Sequence, residues 1–228
     1  SPGWMALREE PFRRWEKAAG APVLEGYGQT ETGGGVVFNP LDGVRKPGSV
    51  GIPMAQVEVQ VVDIDTGATV LPAGETGEIR IRGPQLMSGY RGRPEATGAA
   101  WRDGWLYTTD IGHLDGDGYL FISDRKKDMV IVSGFNVYPR AVEEVLYRHT
   151  DVVEAAVIGV ADAYQGEALK AFVVRRPGSQ VDADAIVRHC RAELAAYKVP
   201  RRISFVDALP KTTVGKIDKK QLRQAPAD

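Results

Sequence analysis

The chain has 228 residues, 43% of them hydrophobic and 26% charged, and its 29 Lys and Arg against 30 Asp and Glu leave a formal charge of -1. That balance excludes a disordered segment and a polybasic nucleic-acid binder, and the length suffices for a buried core with a smaller second body. A single cysteine, Cys190, rules out an internal disulfide, His113, His149 and His189 offer no zinc-ligand spacing, and no apolar run approaches the roughly 20 residues that cross a bilayer. The cytoplasm is the expected location.

Ala6 to Ala18 carries Leu7, Phe12, Trp15 and Ala18 among charged residues and closes at Gly20, which predicts a helix. Val57, Val59 and Val61 alternate with Glu58 and Gln60, the period of a half-buried strand, and Asp65-Thr66-Gly67 supplies a turn. Glu78 to Arg82 repeats the alternation, and turn residues recur at Pro72 to Gly74, Gly83-Pro84, Asp103-Gly104 and Asp115 to Gly118, so residues 41–123 are expected to be mainly antiparallel β.

The pattern changes after Ser123. Met129 to Ser133 reads as a short strand, and Val142, Val145, Leu146 and His149 lie at helical spacing after Pro139, with Glu143 and Glu144 facing away. Val152 to Val160 and Ala171 to Val174 read as strands, Asp182 to Tyr197 as a helix buried through Ile186, Cys190 and Leu194, and Ile203 to Val206 as a last strand. The expected fold class is α+β: a mainly antiparallel β body over residues 1–125, then a small α+β domain over 126–228.

Four segments could carry chemistry. Gly26 to Gly35 offers unhindered backbone for a phosphate beside a hydroxyl and a carboxylate, but it lacks the lysine of a P-loop and, taken alone, reads first as a glycine-rich surface connection. Asp110, after a short strand, could accept from two ribose hydroxyls or merely cap a turn. Asp124 to Asp128 is a mixed-charge run of the kind that is ordinarily a solvated face. Lys216 follows Gly215 in a loop before a short basic helix; Val214, Ile217 and Leu222 interleave with its charges, which predicts a docked segment rather than a loose tail.

Taken together and in order, these segments resemble one family, the adenylate-forming acyl-CoA synthetases or AMP-binding ligases. The resemblance runs through Gly26-Tyr27-Gly28-Gln29-Thr30-Glu31, Lys46 to Gly51, Gly77 to Ile79, Gly83-Pro84, Gly89-Tyr90, Gly104 to Asp110, Asp124 to Asp128, Ser133 to Pro139 and Pro210 to Lys216. Val132 to Pro139 and Tyr197 to Pro200 look most like the medium- and long-chain fatty-acid ligases.

The resemblance implies activation of a carboxylic acid, a fatty acid by this likeness, with MgATP to an acyl-adenylate, followed by transfer to coenzyme A. It implies that Gly26 and Tyr27 line the nucleotide, with Tyr27 against adenine, that Thr30 bonds the α-phosphate, and that Glu31 holds Mg²⁺. Asp110 and Arg125 would fix the ribose of ATP or AMP, and Lys216 would stabilise charge on the reacting carboxylate and α-phosphate. Lys127 would be the hinge about which the small domain turns, bringing Gly134 and Phe135 to form the pantetheine tunnel. Two departures stand out. Thr109 occupies a position that is usually glycine, so the turn there is expected to differ. The family's upstream phosphate loop has no match here, so the chain resembles the C-terminal portion of a ligase, expected to be inactive alone and to need the missing N-terminal part. Loading of a carrier protein in trans and a non-catalytic nucleotide-binding or interaction module remain the alternatives; no nucleic-acid partner and no transmembrane segment are expected.

Overall fold

The computed structural model of the protein describes residues 15–213 and 215–224. Of the expected first helix, residues 15–19 are helical, while Leu7 and Phe12 lie outside the described residues, as does Val214. The chain divides into two compact units that meet between Lys126 and Lys127, one residue after the expected boundary.

The first unit is built on two antiparallel sheets. Strands β1 (Gly26–Gln29), β2 (Gly34–Phe38) and β3 (Ile52–Pro53) form one of them in that order. The other contains β4 (Glu58–Val62), β5 (Gly77–Arg82), β6 (Trp101–Arg102), β7 (Trp105–Leu114) and β8 (Leu120–Arg125), ordered β4-β5-β7-β6 with β8 also paired to β7. The alternation of Val59 and Val61 with Glu58 and Gln60 does become a strand, because Val61 and its cross-strand partner Ile79 point into a shared core with Val36, Val37, Ile81 and Leu120. Helix α1 (Pro94–Ala100) escaped the sequence reading. It buries no residue, so it leaves no apolar stripe to detect, and its one signal is the proline at its start.

In the second unit a five-stranded sheet is flanked by helices. Its elements are β9 (Val130–Val132), β10 (Phe135–Val137), α2 (Pro139–Arg148), β11 (Val152–Asp162), β12 (Gly166–Arg175), α3 (Ala183–Glu193), β13 (Arg202–Phe205) and α4 (Lys219–Gln224). The order is β10-β9-β12-β11, with β13 parallel to β12. The run around Ala155 to Ile158 is continuously apolar because both faces of the sheet are covered. Ala155, Val157, Ala171 and Val173 pack against Val142, Leu146, Ile186 and Cys190 of α2 and α3, while Ala156, Ile158 and Phe172 pack against Leu209 and Leu222. Burial pushes the Cys190 thiol up to about 11, which fits a packing role.

Two expectations are corrected here. The second helix ends at Glu193 rather than Tyr197, with Leu194 extended at φ -120° and ψ 148° and a short 3₁₀ turn following at Ala196–Lys198. Glu143 does not face away: its Oε1 accepts from the Val157 N–H at 2.8 Å and pairs with Lys219 at 2.8 Å. Helical spacing alone cannot show that a carboxylate beside the apolar stripe is needed by a neighbouring strand. Among the described residues no helix is long and apolar enough to cross a membrane.

Candidate functional site

The glycine-rich segment is a hairpin rather than a loose connection. Thr30–Thr32 makes a 3₁₀ turn between β1 and β2, and Thr32, fully buried, locks it: its hydroxyl accepts from the Gln29 N–H at 2.7 Å and donates to Gly34 O at 2.6 Å. Gly28 is required by contact, because a Cβ there would lie 1.8 Å from Gly34 O across the hairpin. The turn holds Thr30 exposed and Glu31 half-buried at its apex.

Asp110 is the centre of the polar cluster behind that turn. Rather than following a strand or capping a turn, it lies inside β7, opposite Arg125 of β8, and is 4% exposed. Tyr27 donates its hydroxyl to Asp110 Oδ2 at 2.7 Å, Gln29 Nε2 donates to the same oxygen at 2.7 Å, and Arg125 Nε stands 3.4 Å from Oδ1. Gln29 also donates to Thr108 O at 3.1 Å, and Thr108 donates to Ile79 O at 2.8 Å, so the cluster is tied to the sheet. Burial, then the Asp110 charge, holds the Tyr27 phenol well above its ordinary value, so it stays a donor. The Tyr27 ring is fully buried among core valines and presents no exposed face.

Thr109 departs from expectation in an instructive way. The branched side chain was expected to steer the backbone away from positive φ, yet Thr109 takes φ 59°. The bonds to Thr108 and Asp110 on either side fix the strand and leave the exposed Thr109 to bear the strain, worth about 1 to 3 kcal/mol. Thr109→Gly is therefore expected to stabilise the first unit by about 1 kcal/mol, raising its melting midpoint by roughly 2 to 4 °C. A lowered midpoint in calorimetry would count against this reading.

The charged run 124–128 is not a solvated face. Lys126 Nζ donates to Ile64 O and to Glu78 Oε2, each at 2.8 Å, and Glu78 is 2% exposed. Asp128 accepts from Arg223 Nη2 at 2.7 Å within the second unit. Lys127, the one exposed residue of the run, stands between these two anchors in the chain. Net charge cannot report this, since each partner lies far off in sequence.

In the second unit the candidate residues fall on opposite faces of one sheet. Gly134 follows Ser133 in a two-residue turn from β9 to β10, both with positive φ (83° and 50°), the pattern of a type I′ hairpin. Phe135 is 55% exposed and stacks on Tyr197 at 4.7 Å, on the face where Val137 and Tyr197 meet α2 and α3. Lys216 lies on the other face. A bridge between Lys211 and Ile217 closes its loop, Thr212 N donates to Lys216 O at 2.7 Å, and Ile217 packs with Phe172 and Leu222. The loop is further tied through Lys211 to Glu154 at 2.6 Å, at the opposite end of β12 from Gly166, where β9 is paired. Gly166 and Phe172 are themselves roughly 20 Å apart along the strand.

Thus the first unit brings Tyr27, Gln29, Asp110 and Arg125 together under the turn bearing Thr30 and Glu31, and the second carries Lys216 and Phe135 apart. Gln29, Lys126 and Tyr90 were overlooked as individual contributors; Gln29 stood inside a motif already quoted, and Tyr90 beside Gly89 in another. Tyr90 donates its hydroxyl to Glu31 Oε1 at 3.0 Å.

Comparison with known proteins places this geometry. The AMP-binding enzyme model matches residues 3–91 and the AMP-binding enzyme C-terminal domain model matches residues 141–216. A long-chain-fatty-acid–CoA ligase of Bacillus subtilis is 44% identical over 220 residues, covering 96% of this chain and 39% of that protein. The ATP-bound crystal structure of MatB from Rhodopseudomonas palustris matches at TM-score 0.88 and 42% identity over 94% of this chain and 42% of that one. The o-succinylbenzoate CoA synthetase MenE of Bacillus subtilis, in complex with its acyl-adenylate intermediate OSB-AMP, matches at TM-score 0.81 and 34% identity over 95% of this chain and 44% of that one. The chain spans about 39% of the length of the curated relatives it matches. With the two models falling in order on the two units, and close structural agreement across both, the chain belongs to the AMP-binding enzyme family.

Proposed function

We propose that the chain is the C-terminal portion of a fatty-acid–CoA ligase that forms an acyl-adenylate from MgATP and then passes the acyl group to coenzyme A. The first unit supplies the end of the nucleotide-binding body and the second is a mobile lid. The observation that carries this reading is the disposition of Phe135 and of the loop bearing Lys216 on opposite faces of one sheet. A unit built that way cannot offer both groups to one nucleotide in one orientation, so two half-reactions need two orientations.

In the adenylation orientation the Lys216 ammonium meets the charge that grows as the carboxylate oxygen attacks the α-phosphate, and Thr30 donates to that phosphate. Asp110, backed by Tyr27 and Gln29, accepts from the ribose hydroxyls with Arg125 beside it. Tyr27 therefore acts on the nucleotide through Asp110, from within the core. In the thioester orientation Lys216 is withdrawn, and the Gly134 turn with Phe135 walls the pantetheine path; the hinge is Lys127.

Mg²⁺ fits Glu31. Its carboxylate spends one oxygen on Tyr90 and leaves the other without a protein partner among the described residues, which hold no group of three metal-ligating side chains. A single hard oxygen suits an ion whose other ligands are phosphate and water. When bound, the ion neutralises phosphate charge.

The chain alone, given ATP, Mg²⁺ and a fatty acid, is expected to release no pyrophosphate, and release should appear when the remaining N-terminal portion of the Bacillus subtilis relative is added. Pyrophosphate from the chain alone would contradict the reading.

A further inference from the structure

Glu31 is held from two sides by one segment. The Met87 N–H donates to the Glu31 carbonyl at 2.8 Å, and three residues later the Tyr90 hydroxyl donates to the Glu31 carboxylate at 3.0 Å. A phenol meeting a carboxylate at the surface is ordinarily worth little. Here, however, Tyr90 is itself fixed from behind. Its N–H donates to Thr97 Oγ1 at 2.9 Å in α1, that hydroxyl donates to Arg93 O at 2.9 Å, and the Arg93 N–H returns to Tyr90 O at 3.1 Å. The helix that buries nothing thus has a use: its first turn anchors the tyrosine whose tip reaches the carboxylate.

We propose that Tyr90 is a positioning residue for the metal-holding carboxylate, its phenol fixing one oxygen of Glu31 so that the other is aimed at the cation accompanying the nucleotide. The inference rests on the reading of Glu31 as the metal-holding group. A carboxylate on a flexible stem loses rotamer freedom when it takes a ligand, and a donor that selects the rotamer beforehand removes part of that cost. Outer partners of this kind alter metal affinity by about 10- to 100-fold.

The test is Mn²⁺ binding to the intact ligase with a non-hydrolysable ATP analogue, followed by electron paramagnetic resonance. Tyr90→Phe is expected to weaken Mn²⁺ about 10-fold, with the melting midpoint and the metal-free affinity for the analogue unchanged. In a Glu31→Gln background, Tyr90→Phe should change nothing further. If Glu31→Gln weakens Mn²⁺ and Tyr90→Phe does not, the positioning role is overturned and the metal reading stands. If neither substitution changes Mn²⁺ binding, the assignment of the metal to Glu31 fails and the inference fails with it. A lowered melting midpoint accompanied by weakened metal-free analogue binding would make Tyr90 a structural residue and overturn the proposal as well.

Discussion

Lys216→Ala in the intact ligase is expected to slow acyl-adenylate formation by about 10²- to 10³-fold, the usual cost of deleting one preorganised charge-stabilising group. Thioester formation from supplied acyl-adenylate should stay within about threefold of the wild type, because the proposed alternation withdraws the lysine in that step. The asymmetry follows from how the residue is built. Lys216 is exposed and makes no ion pair among the described residues, so truncating it removes no packing. Its backbone is held on both sides, by Thr212 and by the anchored Ile217, so the residue belongs to the second unit's packed structure rather than to a loose tail. Single-turnover release of pyrophosphate and of acyl-CoA would read the two steps separately. Equal losses in both would mean that Lys216 supports the structure of the site rather than one reaction.

The sequence carried the elements whose burial has a simple period. The alternating valines of β4, the apolar positions of α2 and the interleaved Ile217 and Leu222 all announce a buried face, and all have one. It did not carry α1, which has no buried face, or the strand setting of Asp110, where Thr109 bears a conformation its side chain disfavours. That conformation is imposed by the bonds Asp110 accepts from Tyr27 and Gln29 and the one Thr108 donates to Ile79, partners about 30 to 80 residues away that no local pattern contains. The same limit applies to Lys126 and Glu78, whose pairing turns an apparently solvated charge run into an anchor. The candidate site was legible as motif positions. Its supports, Gln29 behind Asp110 and Tyr90 beside Glu31, become visible only when strands bring them together.

The proposed alternation between half-reactions depends most on rotation at one residue. Lys126 is tied into the first unit through Ile64 and the buried Glu78, and Asp128 into the second through Arg223, so the backbone of Lys127 is the span left to turn. Proline fixes φ near -65° and restricts the preceding residue too, so Lys127→Pro should hold the lid close to one orientation. The direct measurement is the pair of half-reaction rates of that variant in the intact ligase, acyl-adenylate formation from MgATP and thioester formation from supplied acyl-adenylate. The expected result is that one rate falls at least about tenfold further than the other, as a trapped two-orientation device requires. Rates that fall together, or that both remain at the wild-type value, would contradict alternation about Lys127.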